Sequence, residues 1–595
     1  MKVATSLVAF AALLSAATTS AAPAAAIETR SSSGGPVVDL DSTANGSKVK
    51  LIAAPARPQR FLTPHRPSAI FVSKVRLLTR LKVRDARIDL RFFVPAPQPL
   101  VAQSSEVQDV SADFPGHPTA CVQFGTTSFV GVNASPGTED CLKLWVWAPA
   151  SATPKSKLPV MVYTHGGGMQ NSQSPNNDFS DFVGQDGGFI AVNANYRLGL
   201  LGFWNSVGLL DEGESANAGI LDGRFAVDWV RKNIAQFGGD PDDITIHGQS
   251  GGGGAIMTQL VLYDGQKPNY QKAIPRSNQN YAAYKVQDLT ARNDAFASLV
   301  NCTASAATPA GAQSQLACMR KLPAETIRLA ALQFSSTKRS DGYSWPGWFP
   351  SVDGKTLTDY PLRLLNAGKI AKVPVMTGDV TNEQGWLTPH PNSNFTALIA
   401  SSVGPAVTDS FIREKTRIYP APIANASADT NTYANTDARG WAFLDDTTFN
   451  AAAFAIARAA KNAGQKAYYY RFNAPQTQRY PAYYGASHSA DNWHLQNSTT
   501  EMNATEAAVA HEFRAYYSSF LKHSDPNTAK LSTAPQWHEA TVTPRYLPRL
   551  VVQNQLEASA NLTYPTGSGM EIVPTNEYDR LSLWASEEVI GASHQ

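Results

Sequence analysis

The feature that most constrains the fold of this chain is a series of short apolar runs separated by amphipathic or polar segments. Near-continuous apolar runs of about four to eight residues are typical of a parallel sheet covered by helices on both faces. Residues 218–237 carry an apolar stripe at helical spacing, and residues 506–521 are a second predicted helix. The fold class predicted is α/β, a large, mostly parallel central sheet flanked by helices. The strand-like runs are 142–148, 158–164, 188–193, 244–247, 373–377 and 467–472.

Composition and charge exclude several classes of protein. The chain has 595 residues, of which 43% are hydrophobic, so a large core can form and global disorder is excluded. The net charge of +2 argues against a dedicated nucleic-acid binder. The positive charge is concentrated, because residues 48–91 hold twelve Lys or Arg and two Asp. The rest of the chain is therefore acidic.

The sequence predicts two regions after residue 22. Residues 23–90 are expected to be a poorly ordered, basic extension, because residues 23–56 are rich in Ala, Ser, Gly and Pro and the basic stretch follows. Residues 91–595 are expected to form one folded domain. The basic segment is interpreted either as a surface extension that binds an anionic polymer or is removed on maturation, or as the product of a mis-joined reading frame. The second interpretation is favoured because domain-like sequence resumes abruptly near residue 91.

The N-terminus predicts secretion. Lys2 supplies positive charge, residues 7–14 are a short apolar region, and residues 20–22 (SAA) form a plausible cleavage site, so residues 1–22 are predicted as a signal peptide. The apolar region is too short to span a bilayer. No later run of 18 apolar residues is present, so no stable membrane anchor is expected. Diffusible nucleotide cofactors are scarce outside cells, which favours cofactor-free hydrolysis.

Cysteines and sequons fit an exported chain. An even cysteine count suggests two disulfides, and nearest-neighbour pairing joins Cys121 to Cys141 and Cys302 to Cys318. No C-x-x-C spacing occurs, so no metal site is expected. Eight N-x-S/T sequons are candidate glycosylation sites: Asn45, Asn133, Asn301, Asn394, Asn425, Asn497, Asn503 and Asn561.

One motif predicts a nucleophile. Residues 248–252 (GQSGG) match G-x-S-x-G, follow the strand-like residues 243–247, and precede helix-like residues 255–262. A strand, a sharp turn and a helix are what a nucleophile elbow needs, and Ser250 would project from the turn. The alternative is a glycine-rich loop, because Gly251 to Gly254 are poor helix formers.

A second glycine run favours the elbow. Residues 165–168 (HGGG) follow a predicted strand, and glycines at a strand end expose backbone N–H groups that can converge on a developing oxyanion. Together with the downstream serine motif, this order matches the arrangement in esterases and lipases. Gly167 and Gly168 would donate two N–H groups, and Gly251 the third.

Several ordered stretches resemble the type-B carboxylesterase family, which also contains cholinesterases and certain fungal lipases. The resemblance covers residues 91–584 and implies the α/β-hydrolase fold, a secreted fungal-type carboxylic ester hydrolase without a cofactor, and a small-molecule or lipid-like ester as substrate. The stretches that carry it are 139–144 (EDCLKL), 195–199 (NYRLG), 202–203 (GF), 217–222 (NAGILD), 237–241 (FGGDP), 350–354 (PSVDG) and 525–527 (DPN).

The resemblance also indicates a base and an acid, which follow the serine in the order acid, then histidine. His488 lies in residues 485–491 (GASHSAD), which are similar to the family's histidine loop; His494 is the nearest competitor. Glu383 holds the family position of the acid, and Asp379 is the alternative. Asp491 is interpreted as a loop-shaping side chain or as a solvated carboxylate.

The sequence departs from the family's pattern at three points. Gln384 stands where Gly usually follows the acid, and Gly251 stands where Ala usually follows the nucleophile. Only the N–H of Gly251 is needed, so its role is retained. An aromatic landmark expected upstream is not recognisable, and the basic segment occupies its place.

Substrate preference rests on weaker signals. The short loop between Cys121 and Cys141 favours a plain esterase with an open gorge over an interfacial lipase or sterol esterase. Trp345, Trp348 and Phe349 are candidates for lining an acyl or alcohol pocket, with ordinary packing as the alternative. A non-catalytic binding module of the same fold is a further alternative, against which the retained triad residues argue. The sequence leaves the oligomeric state open.

Overall fold

A computed structural model describes most of the chain after residue 119. The described residues are the strand segments 37–42, 47–52, 54–55, 70–76 and 108–109, and residues 120–124, 137–149, 151–335, 347–391, 393–403, 409–423, 433–477, 480, 482–553 and 567–593. The predicted signal peptide, Trp345 and four of the sequons (Asn45, Asn133, Asn425 and Asn561) lie outside them.

The centre of the fold is an 11-stranded mixed sheet. Its strands are β1 (Ala54–Pro55), β2 (Ile70–Arg76), β3 (Lys143–Pro149), β4 (Leu158–Thr164), β5 (Ile190–Ala194), β6 (Gly239–Gln249), β7 (Lys272–Arg276), β8 (Val375–Val380), β9 (Ala467–Phe472), β10 (Pro548–Val552) and β11 (Gly569–Ile572). Their order across the sheet is β11-β10-β9-β8-β7-β6-β4-β5-β3-β2-β1. The strands from β10 to β5 in this order are parallel, and antiparallel pairs occur only towards the two edges. The predicted fold class, a large and mostly parallel sheet flanked by helices, is confirmed.

The helices connect the strands and cover the sheet. They are α1 (Ser180–Asp186), α2 (Gly199–Gly202), α3 (Val207–Asp211), α4 (Ala218–Asn233), α5 (Gly251–Val261), α6 (Thr290–Leu299), α7 (Pro309–Met319), α8 (Ala324–Ser335), α9 (Pro361–Asn366), α10 (Phe395–Val403), α11 (Asp409–Ile418), α12 (Thr436–Asp445), α13 (Ala451–Asn462), α14 (Ala490–Gln496), α15 (Ala504–His523), α16 (Thr575–Trp584) and α17 (Glu587–Ser593). Among the residues with described placement, no helix is long and apolar enough to cross a membrane.

Alternate residues of the strands enter opposite sides of the core. On β3, Leu144 and Val146 pack into one buried cluster, whereas Trp145 and Trp147 pack into the cluster on the other face. Successive side chains of an extended strand point to opposite faces of the sheet, and here both faces of the sheet are covered. The apolar run at 142–148 reflects a strand buried on both sides.

The sequence missed five strands of this sheet, β1, β2, β7, β10 and β11. The segment of β7 reads KAIPR, in which a proline and two charged residues hide the strand signal. Lys272 and Arg276 are nevertheless buried there. Their charges are matched by ion pairs with Asp243 and Asp491, respectively.

The sheet extends towards the N-terminus beyond the expected domain boundary at residue 91. Strand β2 lies inside the basic segment and pairs antiparallel with β3, from Ile70 opposite Pro149 to Arg76 opposite Lys143. The segment contains the apolar run Ile70-Phe71-Val72, and net charge does not prevent such a run from adding to a sheet near its edge. The boundary at residue 91 therefore does not coincide with the limit of the sheet.

Two disulfides tie loops to this core. Cys121 is bonded to Cys141, and Cys302 to Cys318. These are the nearest-neighbour pairs expected from the sequence. Within the described part of the chain, no group of three or more His, Cys, Asp or Glu side chains could hold a metal ion.

Candidate active site

Ser250 sits on a strained turn between β6 and α5. Its backbone dihedrals are φ 62° and ψ −127°, a conformation that a non-glycine residue adopts only where the surrounding structure enforces it. A Cβ on Gly252 would lie 2.1 Å from the carbonyl oxygen of Thr164, and one on Gly248 would lie 2.3 Å from that of Gly252. The flanking glycines are therefore required by the close approach of β4 and α5 to the turn.

The four consecutive glycines form the first turn of α5 and not a loop. Glycine is a poor helix former, but here tertiary packing overrides propensity. A Cβ on Gly253 would lie 2.4 Å from the carbonyl oxygen of Arg276, and one on Gly254 would lie 2.5 Å from that of Gln279. The helix can approach the neighbouring strand end this closely only without side chains.

The second glycine run lies directly beside the start of α5. Gly167 and Gly168 have φ values of 95° and 63°, which turn the chain back after β4. A Cβ on Gly251 would lie only 2.8 Å from the amide nitrogen of Gly168. As the first residue of a helix, Gly251 has an N–H with no intrahelical acceptor. The amide nitrogen of Gly168 is thus brought next to Gly251, the residue that follows Ser250.

His165, which begins this glycine run, is held in a neutral form. Burial lowers its pKa to about 4, and its Nδ1 lies 2.9 Å from the carbonyl oxygen of Gly166. Its ring packs against Tyr196, whose hydroxyl donates to the carbonyl oxygen of His165. The residue therefore shapes the loop.

Glu383 and His488 meet at the carboxyl ends of the parallel strands. Glu383 follows β8 and is fully buried; its Oε1 accepts the Val380 N–H at 3.0 Å, and its Oε2 lies 2.5 Å from His488 Nδ1. The two loops are joined by the backbone, because the Asn382 N–H donates to the carbonyl oxygen of Ala486. The other ring nitrogen, His488 Nε2, lies 3.3 Å from Nε2 of Gln249, the residue before Ser250.

The two competing residues occupy other positions. Asp379 accepts the Tyr469 hydroxyl at 2.7 Å and forms an ion pair with Arg471; burial is the main cause that raises its pKa to about 6. His494 is buried with its Nδ1 2.7 Å from the carbonyl oxygen of Ala490, and burial lowers its pKa to about 4. Neither is joined to the other residues of the candidate site.

Asp491 is fully buried, so its interpretation as a solvated carboxylate is wrong. Its Oδ2 lies 2.9 Å from Arg276 Nη1 and accepts the Tyr470 hydroxyl at 2.8 Å. Burial alone would lower the pKa of Arg276, but Asp491 and nearby tyrosines raise it overall. The Arg276 carbonyl oxygen also accepts the Ser250 N–H at 3.1 Å. Arg276 therefore links the serine turn to the start of α14, just after His488.

Sequence reasoning also missed Asp445, which no local motif marks. Asp445 ends α12, is buried, and accepts the Gln384 N–H at 2.8 Å. Its pKa is raised well above the ordinary 3.8 by burial, with Glu383 as the next cause. A second buried carboxyl group thus lies behind the proposed acid.

Aromatic side chains surround His488, and they are not the predicted cluster. The Phe449 ring centroid lies 4.7 Å from that of His488, and Trp386 Nε1 donates to the His488 carbonyl oxygen at 2.7 Å. Trp348 is instead buried against Phe296 and Phe334, which supports the packing interpretation. Phe449 and Trp386 lie 199 and 136 positions after Ser250 and contact His488, a relation that no sequence pattern carried.

Four sequons fall on described residues. Asn301, Asn394 and Asn503 are exposed, and Asn497 is half-buried. The side chain of Asn503 caps α15 by accepting the Glu506 N–H through Oδ1. Glycosylation at these positions stays a prediction.

The fold and the site together define the class of protein: an α/β-hydrolase with a serine elbow. Its solved structural neighbours agree. The crystal structure of EstA of Aspergillus niger superposes with a TM-score of 0.72 at 23% identity, covering 94% of this chain and 99% of that one. A structure titled PNB esterase gives a TM-score of 0.65 at 23% identity, covering 92% of this chain and 99% of that one.

The sequence relatives are named lipases and esterases. A secreted lipase of Arthroderma benhamiae is 32% identical over 60% of this chain and 63% of its own length. Lipase 1 of Geotrichum candidum is 29% identical over 67% of this chain and 71% of its own length. Residues 89–564 match the carboxylesterase family. The chain belongs to the carboxylesterase family, and is a serine carboxylic ester hydrolase.

Proposed function

We propose that this protein is a secreted carboxylic ester hydrolase that works through a Ser250–His488–Glu383 triad and an acyl-enzyme. The observation that carries the proposal is the contact of His488 Nδ1 with the buried Glu383 carboxylate at 2.5 Å. That contact leaves the other ring nitrogen beside the serine turn. A buried carboxylate on Nδ1 orients the imidazole and stabilises the imidazolium that forms during catalysis.

In this mechanism, Ser250 Oγ attacks the carbonyl carbon of the ester while His488 Nε2 takes the serine proton. The negative charge that develops on the carbonyl oxygen is stabilised by the N–H groups of Gly167, Gly168 and Gly251. Collapse of the intermediate breaks the C–O bond, and His488 passes its proton to the leaving alkoxide. A water molecule, activated by His488, then hydrolyses the acyl-serine.

A fluorophosphonate probe tests the nucleophile. The wild-type protein should be labelled stoichiometrically, and Ser250→Ala should not be labelled. Glu383→Gln should fold but label slowly, because the amide cannot stabilise the imidazolium. A folded wild-type protein that takes up no label would refute the triad and favour a non-catalytic binding module.

The substrate is proposed to be a dispersed small ester. The 20-residue separation of Cys121 and Cys141 supports this proposal, because a loop of that length is short for a lipase flap. The second candidate is interfacial lipolysis, favoured by the relatives named lipases. Rates on esters of increasing chain length, measured below and above their solubility limit, decide between them. A rise in rate only above the limit would favour the lipase.

Secretion is proposed from the predicted signal peptide and the two disulfides, and relatives named secreted lipases support it. N-terminal sequencing of the protein from culture medium tests it. A mature chain that begins at about residue 23 is expected.

A further inference from the structure

The side chain of Gln249, the variable residue before Ser250 in the G-x-S-x-G motif, lies close to His488 Nε2, the nitrogen proposed to accept the serine proton. Gln249 is the last residue of β6, directly before Ser250, and is only 3% exposed. Its side-chain Nε2 lies 3.3 Å from His488 Nε2. The variable position of the motif thus reaches the atom that must accept the serine proton.

The chemistry of the two nitrogens determines which of them donates the hydrogen bond. A glutamine amide nitrogen can only donate a hydrogen bond, so His488 Nε2 must be the acceptor. A neutral imidazole carries one proton, which is then on Nδ1, the nitrogen facing the Glu383 carboxylate at 2.5 Å. Gln249 and Glu383 therefore select the same tautomer from opposite sides of the ring.

The room for this amide is provided by Gly166. A Cβ at residue 166 would lie 3.3 Å from Gln249 Oε1 and 2.9 Å from Ser250 Cβ. On the sheet side, the backbone of Gln249 is held in register opposite Arg276 of β7. The glutamine side chain is thus confined between the glycine loop and the histidine.

We propose that Gln249 is a positioning residue that holds the free base, His488, in its reactive tautomer and disfavours a proton on Nε2 before substrate arrives. This inference rests on the proposed triad. When Nε2 takes the serine proton, it becomes a donor that faces the donating amide of Gln249, and the two N–H groups repel each other. Gln249 therefore favours a neutral base at rest and rapid return of the proton to the leaving group.

Among the side chains described around His488, Gln249 is the one whose substitution changes the charge beside Nε2. Glu383 is the charged group that faces the ring, and Asp445 lies behind it through the Gln384 N–H. Phe449 and Trp386 cover the ring without charge. A negative charge placed at residue 249 would meet Nε2 directly.

The test compares Gln249→Glu with Gln249→Met, two side chains of similar length. A carboxylate accepts but does not donate, so it should stabilise a proton on Nε2. The acid limb of kcat/KM against pH should therefore move about one to three pH units higher in Gln249→Glu. The limb should move much less in Gln249→Met. Activity of Gln249→Glu should recover towards the wild-type value at high pH.

Two controls make the outcomes separable. Gln266→Glu adds the same charge at an exposed glutamine and should leave the limb in place. Equal limb positions in Gln249→Glu and Gln249→Met, or a loss at every pH, would mean a packing role and overturn the proposal. If Gln249→Glu does not fold, Gln249→Met decides: lower kcat at unchanged KM is expected, and unchanged kcat overturns it. Failure of the triad itself appears separately, as absent fluorophosphonate labelling of wild type.

Discussion

Replacing Arg276 by Met should destabilise the protein far more than loss of an exposed ion pair. The guanidinium reaches Asp491 Oδ2 at 2.9 Å, Asn492 Oδ1 at 2.8 Å and His247 Nε2 at 2.8 Å, and the Arg276 and Asp491 side chains are 0% exposed. Removing one partner of a buried pair leaves an uncompensated charge, which costs about 3–5 kcal/mol. The free energy of unfolding should fall by about that amount.

The matched control is Arg545→Met. Arg545 also forms an ion pair, with Asp579 at 2.9 Å, but the two side chains are 61% and 46% exposed. Such a pair contributes about 0–1 kcal/mol, because water solvates both charges well. Urea unfolding at pH 7, followed by tryptophan fluorescence, gives the midpoint and slope for each variant.

The kcat of Arg276→Met and the stability of a double variant provide two further tests of the buried ion pair. Because α14 begins two residues after His488, Arg276→Met should also lower kcat in the protein that remains folded. Asp491→Leu combined with Arg276→Met removes both charges and should cost less than the sum of the single changes. A cost for Arg276→Met no larger than for Arg545→Met would refute the buried-pair reasoning.

Three further outcomes are expected. Gly252→Ala should lower the free energy of unfolding by about 1–3 kcal/mol, because the new Cβ would collide with the Thr164 carbonyl oxygen, and it should also lower kcat. The control is Gly569→Ala, whose new Cβ has no atom within 4 Å. It should change the free energy of unfolding in urea by no more than about 0.5 kcal/mol. Asp445 has a folded pKa raised above its ordinary 3.8 by burial and Glu383, so its stabilising contribution is complete below 3.8 and is lost as pH rises through the folded pKa. Asp445→Asn should therefore gain stability relative to wild type as pH rises above about 4, and a pH-independent difference in melting temperature would contradict this. Replacing Cys302 and Cys318 together by Ser should lower the free energy of unfolding by about 3 kcal/mol. The difference from wild type should vanish when both proteins are treated with reductant, which opens Cys121–Cys141 in each.

The local conformations predicted correctly from the sequence are those set by neighbouring residues. The elbow around Ser250 and the glycine run at 165–168 each form within a few residues, because backbone conformation at glycine is a local property. The loop alternative for Gly251 to Gly254 was a real ambiguity, since propensity disfavours a helix there. Close packing against the Arg276 and Gln279 carbonyls decided it.

The sequence by itself determined the α/β class, six strands of the sheet and the identity of the candidate nucleophile, since periodicity and turn chemistry are written in adjacent residues. Only the tertiary structure decided which carboxylate meets His488, since Asp379 in β8 and Glu383 just after β8 lie four residues apart and differ in their buried partners. It alone revealed the contact of Gln249 with His488 across 239 positions and the pairing of Arg276 with Asp491. Contacts between residues so far apart depend on how helices and strands pack, and no local pattern records that packing.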